Sequence, residues 1–229
     1  MTETSPEVSE RWQLGSRVAR LHESHSYGLV LVLVVTSFTF AAAASDAPWT
    51  GSVLLLLEAI TLVTALWTSG VAHTDSRQSR ALVLVATGVA IANLVWGGNG
   101  LAAATALLAA GLVVVTAGAI GIGVADQRGV NSRSVLGAIS IYLLVGMLFV
   151  FVYGAVATLG AGPFFAQGTD GTRSLRLYFS FVTMATLGYG DYTPAGTLGH
   201  MLAVVEALFG QLYLVTVVAL LVSRLRGRR

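Results

Sequence analysis

Long apolar runs alternate with short polar connectors along the chain. Six runs stand out: Gly28–Ala44, Val53–Val71, Ala81–Trp96, Leu101–Val124, Val135–Leu159 and Leu198–Val222. A helix needs roughly 20 apolar residues to cross the hydrocarbon core of a bilayer, within a range of about 17 to 25. The third run is short and relies on its flanks; the others reach that range. None alternates apolar and polar positions, so the pattern speaks against barrel strands and predicts six spanning helices. Between the fifth and sixth runs lies a shorter apolar stretch, Ser174–Ala185, free of Gly and Pro. It is too short to span and predicts a re-entrant helix.

Composition agrees with a bilayer as solvent. The 229 residues are 55% hydrophobic and 10% charged, with a mean hydropathy of +0.78. Soluble domains carry about 25% charged residues, so these charges are too few to cover a water-facing surface. With no cysteine, disulfides, thiol chemistry and cysteine metal sites are excluded. The four histidines form no metal-ligand pattern, and the sequence has no phosphate-binding loop. These features point away from an enzyme and from a nucleic-acid partner. All thirteen basic residues are Arg, which beside abundant Ala and Gly fits GC-rich codon usage.

Placement of the arginines says more than the net charge of +2. Eleven fall in the N-terminal segment, the second-to-third and fourth-to-fifth connectors, and the tail. Only Arg173 and Arg176 fall on the opposite side. The positive-inside rule then puts both termini in the cytoplasm of a cell membrane, as an even number of spans requires. Phe40–Ser45 has the look of a signal-peptidase site, but the long acidic segment before it suits a signal peptide poorly. Val8–His25 has two readings, an amphipathic helix on the inner leaflet or a loose tail. The basic tail, 224–229, is read as a topological anchor or as a contact for anionic lipids that control a gate.

The chemistry sits in Thr186-Leu187-Gly188-Tyr189-Gly190-Asp191, directly after the predicted re-entrant helix. Non-helical backbone at membrane depth is tolerated only where it is buried or lines a water-filled path. This segment strongly resembles the selectivity filter of the potassium channel family, usually Thr-Val-Gly-Tyr-Gly-Asp, with Leu187 in place of Val. The resemblance covers mainly Val135–Val222. It implies an all-α membrane protein with six transmembrane helices, a pore helix and filter between the fifth and sixth, and four chains around one axis as a homotetramer. The backbone carbonyls of Thr186, Leu187, Gly188 and Tyr189, with the Thr186 hydroxyl, would then replace the water shell of permeant potassium ions. Gly188 and Gly190 permit the backbone conformations that aim successive carbonyls inward.

Further roles follow from the same resemblance. Pro194 and Gly199 fall where the family often has Pro and Gly after the filter. Relatives commonly hold the filter with two Trp residues, and those positions here are Tyr178 and Phe179. Tyr178 can still donate to Asp191, and Thr183 is the candidate partner for the Tyr189 hydroxyl. Glu206 is expected to brace the re-entrant helix through Ser180 or Thr183. Gly210 stands at the usual hinge of the last helix, where close packing is the other reading. Leu214, Val218 and Val222 follow it at helical spacing and would line the cavity and inner gate.

The fourth run contains no charged residue. Without gating charges the membrane field has little to act on, so weak voltage dependence is expected. The expected division is a cytoplasmic segment 1–27, a four-helix accessory domain 28–124, a pore domain 135–223 and the tail 224–229. Gly111 and Gly118 are expected to pack the accessory helices closely. Glu58, in the second run, is expected to be protonated or paired with a polar group such as Asn93. The functional expectation is passive, potassium-selective flux. The alternatives are a non-conducting or regulatory subunit, or a component of a potassium-uptake transporter. Such transporters carry four degenerate filters in one chain, whereas this chain carries one intact filter.

Overall fold

A computed structural model describes residues 27–69, 76–125 and 132–226. They form seven helices: α1 (Tyr27–Ala43), α2 (Pro48–Ser69), α3 (Ser76–Val95), α4 (Asn99–Ala125), α5 (Ser132–Leu159), α6 (Arg173–Met184) and α7 (Thr197–Arg226). No strand occurs among the described residues; Phe165 makes isolated bridges with Thr169 and Pro194.

Four helices are long and apolar enough to cross a membrane, within α2, α4, α5 and α7. The apolar parts of α1 and α3, Tyr27–Ala43 and Ala81–Val95, are shorter. The chain is therefore a multi-pass membrane protein, with four helices meeting the length that the sequence pattern led us to expect of six. Helix α3 begins at Ser76, so the backbone of Arg77 and Arg80 is helical rather than part of a connector. Ser is a good residue at a helix start and Arg a good helix former, which explains the extension. The expected amphipathic segment Val8–His25 lies outside the described residues, as does the end of the basic tail.

The helix ends follow from local chemistry. Pro48 opens α2, where its missing N–H costs nothing. Gly97 and Gly98, at φ +61° and +96°, close α3 before Asn99 starts α4. Thr172 caps α6, its hydroxyl accepting from the Leu175 N–H at 3.1 Å. Inside the apolar helices, hydroxyls are satisfied by their own helix: Thr61, Thr105 and Thr116 each donate to the carbonyl four residues back. That suits a solvent offering no hydrogen bonds.

A single core joins Leu54, Leu55 and Leu62 of α2 to Leu112 and Ile120 of α4 and to Leu144 and Met147 of α5. A second, aromatic cluster of Phe149, Tyr153, Phe164, Phe165 and Phe179 lies between α5, the α5–α6 loop and α6. Close approach falls on other glycines than expected. A Cβ on Gly111 or Gly118 would meet nothing within 4 Å in this chain. A Cβ on Gly137 would strike Val124 at 2.6 Å, and one on Gly123 would strike Ser69 at 2.8 Å. Gly146 similarly makes room for the Phe181 ring. Helix α7 packs on α5 and α6. It leaves Leu198, Met201, Leu208, Phe209, Leu212 and Val215 exposed.

Candidate ion-conduction site

The segment after α6 has a backbone unlike any helix. Thr186, Gly188 and Gly190 adopt φ of +56°, +54° and +76°, so every second residue is left-handed. Two are glycines, for which this costs little. Thr186 is β-branched and an outlier in that region. Such alternation turns successive carbonyls toward a common side, where a helix or strand would not. Among the described residues, no donor reaches the carbonyls of Thr186, Leu187, Gly188 or Tyr189. Their amides partly serve the preceding helix, with the Leu187 N–H donating to the Val182 carbonyl at 2.9 Å. The whole stretch 185–191 is exposed in the single chain, including the Leu187 and Tyr189 side chains.

Contacts from α6 and from the α5–α6 loop hold this stretch in place. The Tyr178 hydroxyl donates to Asp191 Oδ2 at 2.7 Å, and its ring stacks on Tyr189 at 6.4 Å between centroids. The bond to Asp191 pushes the Tyr178 phenol up to about 12. Gln167, in the α5–α6 loop, donates to the Asp191 carbonyl at 2.8 Å and accepts from the Thr193 N–H at 3.4 Å. Backbone bonds Ala166 N–H to Thr193 O and Ala195 N–H to Phe164 O, both 2.8 Å, pin the same loop alongside the residues that follow Asp191. Phe179 does not face the filter; it is buried in the aromatic cluster. The Thr183 side chain makes no hydrogen bond to Tyr189 within the chain, so the sequence-based pairing of these two is absent from a single subunit.

Behind α6, Glu206 of α7 is fully buried. Its Oε1 accepts from the Ser180 hydroxyl and its Oε2 from the Tyr153 hydroxyl, each at 2.5 Å. Ser180 also lies 2.9 Å from the Gly146 carbonyl. One carboxylate thus links α5, α6 and α7. Gly210, one turn on, is buried because a Cβ there would come within 2.5 Å of Met184 Cγ and O. The structure therefore gives Gly210 a packing reason, the C-terminal end of α6 resting on it. Gln211 reaches toward Thr186 Oγ1 at 3.4 Å, and Leu214 is exposed on the same helix. Val218 and Val222 lie on α7, but their side chains are outside the described residues.

Residues 137–227 match the family model described as an ion channel. Within this region the chain is similar to the inward rectifier potassium channel Kirbac3.1 of Paramagnetospirillum magnetotacticum, at 34% identity over 84 residues. This region is thus similar to ion channel sequences, a potassium channel among them. The similarity covers 37% of this chain and 27% of the relative. No solved structure matches.

Sequence reasoning missed Gln167, Tyr153 and Asp46. Asp46, between α1 and α2, accepts from the Arg173 N–H at 3.0 Å and so meets the first turn of α6. Glu58 does not pair with Asn93 as expected. Asn93 instead donates to the Ser52 hydroxyl at 3.2 Å. Both Glu58 oxygens are buried without a hydrogen bond, beside the equally unbonded hydroxyl of Ser37. Glu58 and Ser37 sit 21 residues apart on different helices, and nothing local in the sequence fixes which face meets which.

Proposed function

We propose that the chain forms a homotetrameric, potassium-selective channel for passive flux across a cell membrane. The observation that carries this is the run of four consecutive carbonyls, Thr186 to Tyr189, with no donor among the described residues. Buried carbonyls left without partners cost free energy, and at membrane depth no water film covers a single chain's edge. Four copies around an axis would turn each carbonyl into a ring, and stacked rings of oxygens can replace the hydration shell of a potassium ion. The Thr186 hydroxyl would close the inner end. The exposed apolar face of α7 would be covered by neighbouring subunits and lipid.

In this reading α5, α6, the filter and α7 are the pore domain, α1 to α4 an accessory bundle of spanning helices, and both termini are cytoplasmic. The C-terminal end of α6 would direct its partial negative charge toward the cavity. Gly210 would serve as hinge, and Leu214, Val218 and Val222 would line the cavity and gate. The arginine-rich tail would contact anionic lipids. Helix α4 carries no charge, so opening would respond only weakly to voltage.

One bilayer recording of purified protein tests the set. With unequal potassium and sodium, the reversal potential should follow the potassium gradient, and the conductance should change little with voltage. A reversal potential that ignores potassium would overturn the reading; a steep conductance–voltage curve would overturn its voltage part.

A further inference from the structure

A cavity of about 320 Å³ lies where α2, α3, α4 and α5 meet the N-terminus of α6. Ligand pockets span roughly 300–1,000 Å³, so this one is small but sufficient. Its walls differ in character. Ala102 and Ala106 of α4 and Val150 of α5 make an apolar side, while Asp46, Arg173 and Arg176 make a charged one.

The charges do not balance. Arg173 pairs with Asp46 at 3.8 Å and donates to Thr50 Oγ1 at 2.7 Å. Arg176 forms no ion pair among the described residues. Its Nη1 donates to the carbonyls of Asp170 and Gly171 at 3.0 and 2.7 Å. Among the described residues, its Nε is buried without a hydrogen-bond partner and its Nη2 makes no hydrogen bond. That free edge faces Gly154 of α5, where a Cβ would lie 3.6 Å from Nε and 3.9 Å from Nη2. The lining therefore carries one positive charge more than negative, on a guanidinium whose fork edge is unused. A planar fork of two N–H groups matches a carboxylate bidentately. The carboxylates of Asp46 and Asp170 act on this guanidinium only through space, and an N–H left buried without an acceptor is costly.

We propose that this cavity binds a short amphipathic monoanion, an alkyl carboxylate whose head meets the Nε–Nη2 edge of Arg176 and whose tail lies along Ala102, Ala106 and Val150. The site stands apart from the conduction reading, because binding is read without current. The test uses the full chain in lipid nanodiscs and radiolabelled octanoate, counted against empty nanodiscs. Saturable binding near one octanoate per chain is expected, competed by unlabelled octanoate but not by octanol, octylammonium or inorganic phosphate. Arg176→Gln should weaken it at least tenfold. Ala106→Leu, which fills the apolar wall and keeps the guanidinium, should do the same, and it decides alone if Arg176→Gln does not fold. Binding no greater than to empty nanodiscs, equal competition by octanol, or unchanged affinity in folded Ala106→Leu would each overturn the proposal. Effective competition by phosphate would do so too, since it would mean that the alkyl body contributes nothing.

Discussion

The first four helices and the last three are built from the same apolar alphabet, yet they place their polar side chains in opposite ways. In α5 to α7 several buried polar groups reach across elements, although Ser140 bonds back to its own helix. Glu206 joins Ser180 and Tyr153, and the Tyr213 hydroxyl donates to the Ala138 carbonyl on α5. In α1 to α4 most hydroxyls bond back to their own helix. The Ser52–Asn93 bond is an exception, and among the described residues Glu58 has only the Ser37 hydroxyl beside it, without a well-formed hydrogen bond. Self-satisfied helices can slide and rotate against one another at small cost. Cross-linked helices cannot, since each displacement strips a buried group of its partner. The half containing the filter is therefore the half with a unique geometry to defend.

The largest effect should come from the filter itself. Gly188 sits at φ +54° in open space, so a side chain there meets strain rather than a clash. Left-handed backbone costs an L-residue roughly 1–2 kcal/mol. In four subunits that is about 4–8 kcal/mol against the conducting form. Gly188→Ala should lower potassium flux into liposomes by about 10³-fold or more, with the protein still folded and assembled. The same change at Gly111, which also faces open space but in a helix, should leave flux unchanged. Near-normal flux through Gly188→Ala would remove the reason for reading the alternation as functional.

Two buried carboxylates sharpen the contrast with opposite signs. Glu206→Leu strips two buried hydroxyls of their acceptor and should destabilise by about 1–3 kcal/mol per orphaned group. Glu58→Leu removes a buried group with no partner and should stabilise, by about 1–3 kcal/mol. Thermal unfolding in detergent reads both. Destabilisation by Glu58→Leu comparable to that of Glu206→Leu would mean that Glu58 has a partner the bundle conceals.

How much of this the sequence could reveal depended on the range of the signal. The re-entrant helix spans Arg173–Met184 where the apolar stretch suggested Ser174–Ala185, because a polar start and a glycine-rich stop are local features. The choice between packing and idle glycines was not local. A soluble helix betrays its buried face by period, but helices α4 and α7 are apolar on all sides, so lipid-facing and core-facing positions read alike. Gly111 and Gly123 look equivalent along α4, yet only the second touches a neighbour. The α5–α6 loop was opaque for a different reason. The path that brings Gln167 to Asp191 is set by the aromatic cluster beneath it, whose members come from three separate segments.

The smallest expected effect concerns how the filter exit is held. Tyr178 and Asp191 meet at 2.7 Å, and Gln167 grips the carbonyl of the same Asp191. The hydroxyl bond fixes the side chain and the amide bond fixes the backbone, so the two act on one residue from different directions. Tyr178→Phe keeps the ring that stacks on Tyr189 and removes only the hydroxyl. Because the bond is solvent-facing, its loss should speed the decline of current by only about two- to fivefold. The effect should be clearest at low external potassium, where ions in the filter no longer oppose collapse. Asp191→Asn alone should have an effect of similar size, since the amide keeps an acceptor but loses the charge. Together the two changes should do little more than either one, because each weakens the same contact. The rates of current decline in the two single variants and the double variant form the cycle. Effects that multiply independently would show that Tyr178 and Asp191 act on the filter separately. Asp191 would then be held by Gln167 alone.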